Sequence, residues 1–315
     1  METKRYSIRK KHKRILIYGI VAAIILISLI LSARTIFMLL FPTSSPYYAN
    51  PSTFYFNAAI VDQLSLTAPN QTFAQTATTV LQNGGFTVDY YSGEKVTVDF
   101  FKNLPTHNYG IIILRVHSAV GENDDPPLAL FTSEPLSKSK YVLEQLNDQL
   151  QGVAFLPYKQ GDPLYFGIPP KFISSCLNGT FQNTIVIAMG CDGLTYTDMA
   201  KAFINRGAKA YIGWYRSVTA SHTDNAVQQL IQHLIIERKT IGNAVSLIPP
   251  DPNTNAYLIV YPSAEARNFV IPEKSPTNNL LLNEIETRMG DATFYNTLPL
   301  VQSAKSASKI RVHFP

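Results

Sequence analysis

Two uninterrupted apolar runs, YGIIILRVH over residues 109–117 and TIVIAMGC over residues 184–191, most sharply limit what this chain can form. A strand with one face in water alternates apolar and polar residues, whereas a β-branched run without that alternation belongs to a strand covered on both faces, as at the centre of a parallel sheet. Around these runs, shorter apolar segments alternate with helical stretches. AAIVDQL (58–64) and FTVDYY (86–91) read as strands flanking an amphipathic helix over 72–82, which Asn83-Gly84-Gly85 closes. A short helix follows over 98–104. After the second run come a helix over 196–205, the strand AKAYIGWY (208–215), a helix over about 220–237, an edge strand YLIVYP (257–262) and a helix over 278–289. The stretch near 121–180, with the acidic loop GENDDPP, a helix near 138–150 and the runs VAFLPY and LYFGIP, reads as a hairpin-bearing insertion. This pattern predicts an α/β domain over 55–315 built on a doubly wound, mostly parallel sheet, a fold that binds ligands beyond the carboxyl ends of its strands.

The N-terminus has a different solvent in view. Residues 15–33 (ILIYGIVAAIILISLILSA) carry no charge over nineteen positions, which as a helix spans roughly 28 Å, the thickness of a bilayer's hydrocarbon core. Seven basic residues and one acid precede Ile15, and that bias retains the N-terminus in the cytoplasm. The expectation is a basic cytoplasmic tail over 1–14, a signal-anchor over 15–41, a linker over 42–54 and a main domain outside the cell membrane. A cleavable signal peptide fits less well, because Arg34 is followed by more apolar sequence rather than by a small-residue cleavage site.

Charge excludes one class of partner. The whole chain carries +5, the first fourteen residues alone carry +6, and the remainder is left at −1. Nucleic-acid binding needs a basic folded surface, so no nucleic-acid partner is expected. No glycine-rich phosphate loop is present, and neither a cofactor nor a metal is expected; Glu122, Asp124 and Asp125, followed by two prolines, read as a solvated loop. Two sequons, at Asn70 and Asn178, suit a translocated domain. Cys176 and Cys191 are too few for a disulfide framework; one bridge between them competes with any chemistry at Cys191.

The chemistry falls on two strand ends. His117 closes the first central run and Cys191 the second, so neighbouring strands would bring both to one rim, where an imidazole activates a thiol by taking its proton. Gly190 and Gly193 flank the cysteine and leave backbone N–H groups open to an oxyanion.

These residues, IIILRVHS and then IVIAMGCDG 74 positions on, resemble the caspase-hemoglobinase fold of cysteine peptidases, the group of caspases, legumain, gingipains, separase and CHAT domains. The segment MAKAFINRGAKAYIGWYRSVTASHTDNAVQQLI is similar to the gingipain and CHAT pattern of helix, Gly-Ala turn, tryptophan-bearing strand and helix. The resemblance covers residues 55–240. It implies a three-layer αβα fold, a peptide or protein substrate, a Cys191 nucleophile with His117 as base, and a substrate groove at Trp214 and Arg216. It also implies that Asp62, at the end of the first strand, lines a pocket for basic side chains; read without the family, Asp62 is a capping or loop aspartate. The chain has His117-Ser118 and Gly190-Cys191 where the family usually has His-Gly and Ala-Cys. Two alternatives stand beside the peptidase: an inactive caspase-like binding or scaffolding domain, and an amidotransferase- or DJ-1-like cysteine enzyme served by His222 or His233.

Overall fold

The computed structural model describes Ser28 and residues 54–121, 127–155 and 158–274. The tail, anchor and linker expected over 1–54 lie outside the described residues apart from Ser28 and Phe54, as do Glu122, Asp124, Asp125 and the helix expected over 278–289. Among the described residues no helix is long and apolar enough to cross a membrane.

Ten described strands form two sheets: β1 (Asn57–Asp62), β2 (Thr87–Ser92), β3 (Ile111–Arg115), β4 (Ser118–Ala119), β5 (Ala129–Pro135), β6 (Gln151–Val153), β7 (Tyr165–Ile168), β8 (Ile185–Ala188), β9 (Ala210–Tyr215) and β10 (Tyr257–Tyr261). The larger sheet has the order β2-β1-β3-β8-β9-β10, parallel except for β10 at one edge. The two continuous runs are therefore adjacent central strands, paired from Ile111↔Ile185 to Leu114↔Ala188, and β9 is the next strand out. The alternation missing from their sequences is spent on two cores. Ala58, Ile60, Ile111, Ile113, Ile185, Ile187, Ile212 and Trp214 face one cluster. Their neighbours Ala59, Val61, Ile112, Leu114, Val186 and Ala188 face the other. Each isoleucine, leucine or valine side chain among them contributes about 1.5–3 kcal/mol on leaving water, which is why these strands tolerate so few polar residues.

Helices cover both faces. Gln71–Asn83, Ala220–Ile231 and Ile241–Ser246 pack on the first cluster, and Val98–Asn103, Pro170–Ser175 and Asp198–Asn205 on the second. The Asn70 side chain caps the first helix by accepting from the Phe73 N–H at 3.0 Å, and Gly85 ends it at φ +86°, a conformation glycine adopts without cost. The helix from Ala220 continues through a π-helical turn over Gln232–Ile236.

The region after β3 folds as the second sheet, order β4-β5-β7-β6, antiparallel throughout. Here the helix expected over 138–150 shrinks to Val142–Leu146. Tyr141 and Asp148 adopt left-handed backbone on either side, and Leu143 and Leu146 stay 71% and 76% exposed. A helix is held mainly by packing an apolar face, and among the described residues nothing buries a face of this one to prolong it.

Candidate functional site

The parallel strands β1, β3, β8 and β9 leave the sheet at one rim, and the residues after them meet there. The β3–β8 ladder ends at Leu114↔Ala188, three residues before His117 on one strand and three before Cys191 on the other, and the β8–β9 ladder ends at Ile187↔Ile212. Past the ladders the Met189 N–H donates to Leu114 O at 2.9 Å, and the chain after Cys191 turns back beside β9, with the Asp192 N–H donating to Arg216 O at 3.0 Å and the Leu194 N–H to Trp214 O at 2.8 Å. The Ser118 hydroxyl donates to the Cys191 carbonyl at 2.5 Å.

Gly190 is required by this closeness. A Cβ there would overlap the Ser118 hydroxyl and stand 2.5 Å from the Val116 carbonyl oxygen, so the chain cannot carry the alanine usual in the resembling family without spreading β3 from β8. Gly190→Ala is expected to cost about 1–3 kcal/mol, the usual penalty of overpacking, read as a lower urea midpoint; an unchanged midpoint would mean that the two strand exits are not this close.

His117 is partly buried. Its Nε2 shares a 3.0 Å hydrogen bond with the Thr67 hydroxyl, and its backbone N–H donates to the buried Gln63 amide oxygen at 3.1 Å. The ring lies edge-on to Phe155 at 5.0 Å and against Phe131 at 5.8 Å, both from the second sheet region. Burial lowers the imidazole below its ordinary pKa, and the Arg115 guanidinium adds to that; the ring is held neutral. Cys191 donates its thiol to the Val218 carbonyl at 3.5 Å. Burial pushes this thiol up, and the Asp192 carboxylate beside it adds to the effect. The loop that carries Val218 is fastened by Asp251, which accepts from the Thr219 N–H at 2.8 Å and from its hydroxyl at 2.7 Å. Burial opposes the charge of Asp251, but these donors and the Asn253 N–H outweigh it and hold the carboxyl down at about 2.

Arg216 is exposed at φ +76°, its guanidinium 5.4 Å from the Tyr215 ring centre. It lines an open cleft of ≈ 360 Å³ together with Val120, Asp192, Thr195, Tyr196, Tyr215, Ser217 and Thr254. Asp192 shapes the cleft floor by accepting from Thr195 and Ser217 hydroxyls, both at 2.9 Å. The rim thus carries the Cys191 thiol and the His117 imidazole, with a cleft lined by Arg216 and Asp192 beginning at the residue after the cysteine.

Two expected binding residues sit elsewhere. Trp214 is fully buried: it shares the inward face of β9 with Ala210 and Ile212, and its indole donates to Thr223 at 2.9 Å. It is a core residue and does not line the cleft. Asp62 is also buried, at 1% exposure, and both of its oxygens are taken, one by Arg115 at 2.6 Å and one by the Tyr90 hydroxyl at 2.7 Å. As a carboxylate neutralised inside the fold, it offers no face to a basic side chain. Both cysteines are free, Cys176 lying at the end of helix Pro170–Ser175. His222 bonds the Pro249 carbonyl at 3.1 Å and His233 bonds Glu237 at 2.9 Å, so neither histidine is paired with the thiol.

The partners Thr67, Gln63, Val218 and Asp251 carry no local signal, since each acts from a different loop. Arg115 did have one: a single charge inside an otherwise apolar central strand. Neither a protein-family model nor a curated protein matches this chain.

Proposed function

We propose that the chain is a membrane-anchored, extracytoplasmic cysteine endopeptidase of caspase-like type, with the N-terminus in the cytoplasm, Cys191 as nucleophile and His117 as base. The observation that carries this reading is that the two residues follow adjacent parallel strands, each three positions past the last paired residue, at the rim where such folds bind ligands, with the Ser118 hydroxyl donating to the Cys191 carbonyl. In the reaction, the thiol proton passes to the neutral imidazole as sulfur bonds the scissile carbonyl carbon. The carbonyl oxygen takes the negative charge, and N–H groups of the Gly190–Cys191 turn stabilise it, that of Asp192 being given to Arg216 O. The imidazolium then protonates the departing amine as the C–N bond breaks, and water hydrolyses the thioester. The peptide lies along the cleft at Arg216. At rest the imidazole is bonded to Thr67 and the thiol to Val218; substrate binding exchanges those two bonds for one between sulfur and ring.

A second reading, a caspase-like domain that binds without cleaving, is favoured by that same resting pairing and by the raised pKa of the buried thiol. Peptidyl chloromethyl ketones of varied side chain separate the two. The peptidase reading expects a covalent adduct on Cys191 that forms at least ~100-fold more slowly in His117→Ala, the scale of a general base. No adduct on the folded protein, or equal rates with and without His117, would leave the binding domain.

A further inference from the structure

Arg115 is the buried hub of the rim. It is 1% exposed, and its guanidinium reaches three separate segments. Nη1 donates to Asp62 at the end of β1 at 2.6 Å. Nη2 donates to the Ala68 carbonyl at 2.7 Å. Nε and Nη2 form a two-pronged pair with Asp224, at 2.7 and 2.8 Å. Asp224 also accepts from the Asn70 amide at 2.8 Å, so the first of the two sequons is engaged by the hub.

Each segment bears on one half of the dyad. Asp62 and Ala68 bracket the loop whose Gln63 and Thr67 hold the His117 backbone and ring. Asp224 lies next to Thr223, whose hydroxyl donates to the Met189 carbonyl at 3.0 Å and accepts from Trp214; Met189 leads directly into the Gly190–Cys191 turn. We propose that Arg115 is a positioning residue of this rim: one planar fork sets the loop that orients His117 and the helix start that orients the Cys191 turn. The inference deepens the peptidase reading and rests on it for its catalytic consequence. A lysine could supply the charge but not the planar fork that serves three acceptors at once. The charged group acting on His117 is Arg115, whose guanidinium is itself paired with Asp62 and Asp224; Thr67, Gln63, Phe131 and Phe155, which touch the residue, are uncharged.

The test uses the full chain in detergent with Cys176→Ser, so that Cys191 is its one thiol, and measures two quantities: the rate of Cys191 alkylation by iodoacetamide across pH 5–9, and the His117 titration midpoint by NMR of labelled histidine. Asp224→Asn keeps the shape and removes one anion. The midpoint should move down by about half a unit, because the guanidinium is then less compensated, and alkylation should slow about ten-fold. Arg115→Lys keeps the charge and loses the fork, so alkylation should slow similarly while the midpoint stays within about two tenths of the parent. Unmoved alkylation profiles and midpoints in whichever variant melts cooperatively would overturn the proposal and leave Arg115 a purely structural ion. The peptidase reading fails separately: if His117→Ala leaves the rate of adduct formation with peptidyl chloromethyl ketones unchanged, the dyad is refuted, while a shifted midpoint in Asp224→Asn still upholds the hold of Arg115 on the ring.

Discussion

Arg115→Met is expected to lower the free energy of unfolding by about 3–5 kcal/mol, measured by urea denaturation of the folded domain followed by circular dichroism. The residue is buried, and its removal leaves Asp62 and Asp224 as two carboxylates facing one another's space without a cation. Breaking a buried ion cluster by deleting one partner costs that much because the remaining charge is stranded out of water, not because the intact pair was worth it. The same argument predicts the compensation. Adding Asp62→Asn and Asp224→Asn to Arg115→Met should recover more than half of the loss, since the stranded charges are then gone. A cost under about 1 kcal/mol for Arg115→Met alone would show that the cluster is wet, and with it the claim that one guanidinium organises the rim would fall.

Trp214→Ala should cost a similar amount, about 3–5 kcal/mol, the range for deleting a large buried aromatic. The side chain is fully enclosed between β9 and helix Ala220–Ile231, and its loss also strips the Thr223 hydroxyl of the indole donor. Trp214→Phe keeps much of the volume and loses only the N–H and part of the ring, so it should cost about half as much. This pair of variants distinguishes the core position found here from a groove position. A groove tryptophan would change adduct formation by peptidyl electrophiles with little effect on the urea midpoint. Trp214→Ala with an unchanged midpoint would place the indole at the surface after all.

The residues that misled and those that did not differ in one respect. The two central strands were legible because burial on both faces imposes a composition that can be read locally: no polar residue interrupts Ile111–Leu114 or Ile185–Ala188. Trp214 was readable in the same way, since it shares strand parity with Ala210 and Ile212, but the family resemblance drew attention to its position near the rim instead of its face. Asp62 shows the reverse difficulty. An aspartate ending a strand is equally compatible with a pocket and with an ion pair, and the partner that decides, Arg115, lies 53 residues away. Asp224, the second partner, is 109 residues from Arg115. The helix expected over 138–150 failed for a related reason: its propensities were adequate, but among the described residues no partner packs on Leu143 and Leu146 to prolong it.

What the sequence by itself determined is therefore what short-range patterning can encode: which segments are strands covered on both sides, the caps that start and stop the helix Gln71–Asn83, and the fact that a histidine and a cysteine follow two such strands. The tertiary structure decided everything that depends on which distant segments share a site. It set the β3–β8 pairing that sends the segments of His117 and Cys191 out at one rim, the close approach that leaves no room for a side chain at Gly190, and the pairing of the thiol with Val218. It also decided that the lone charge in a central strand joins β1 to the helix Ala220–Ile231. The physical reason is that a buried charge is stable only beside its counter-charges, and only the folded chain brings those counter-charges to it.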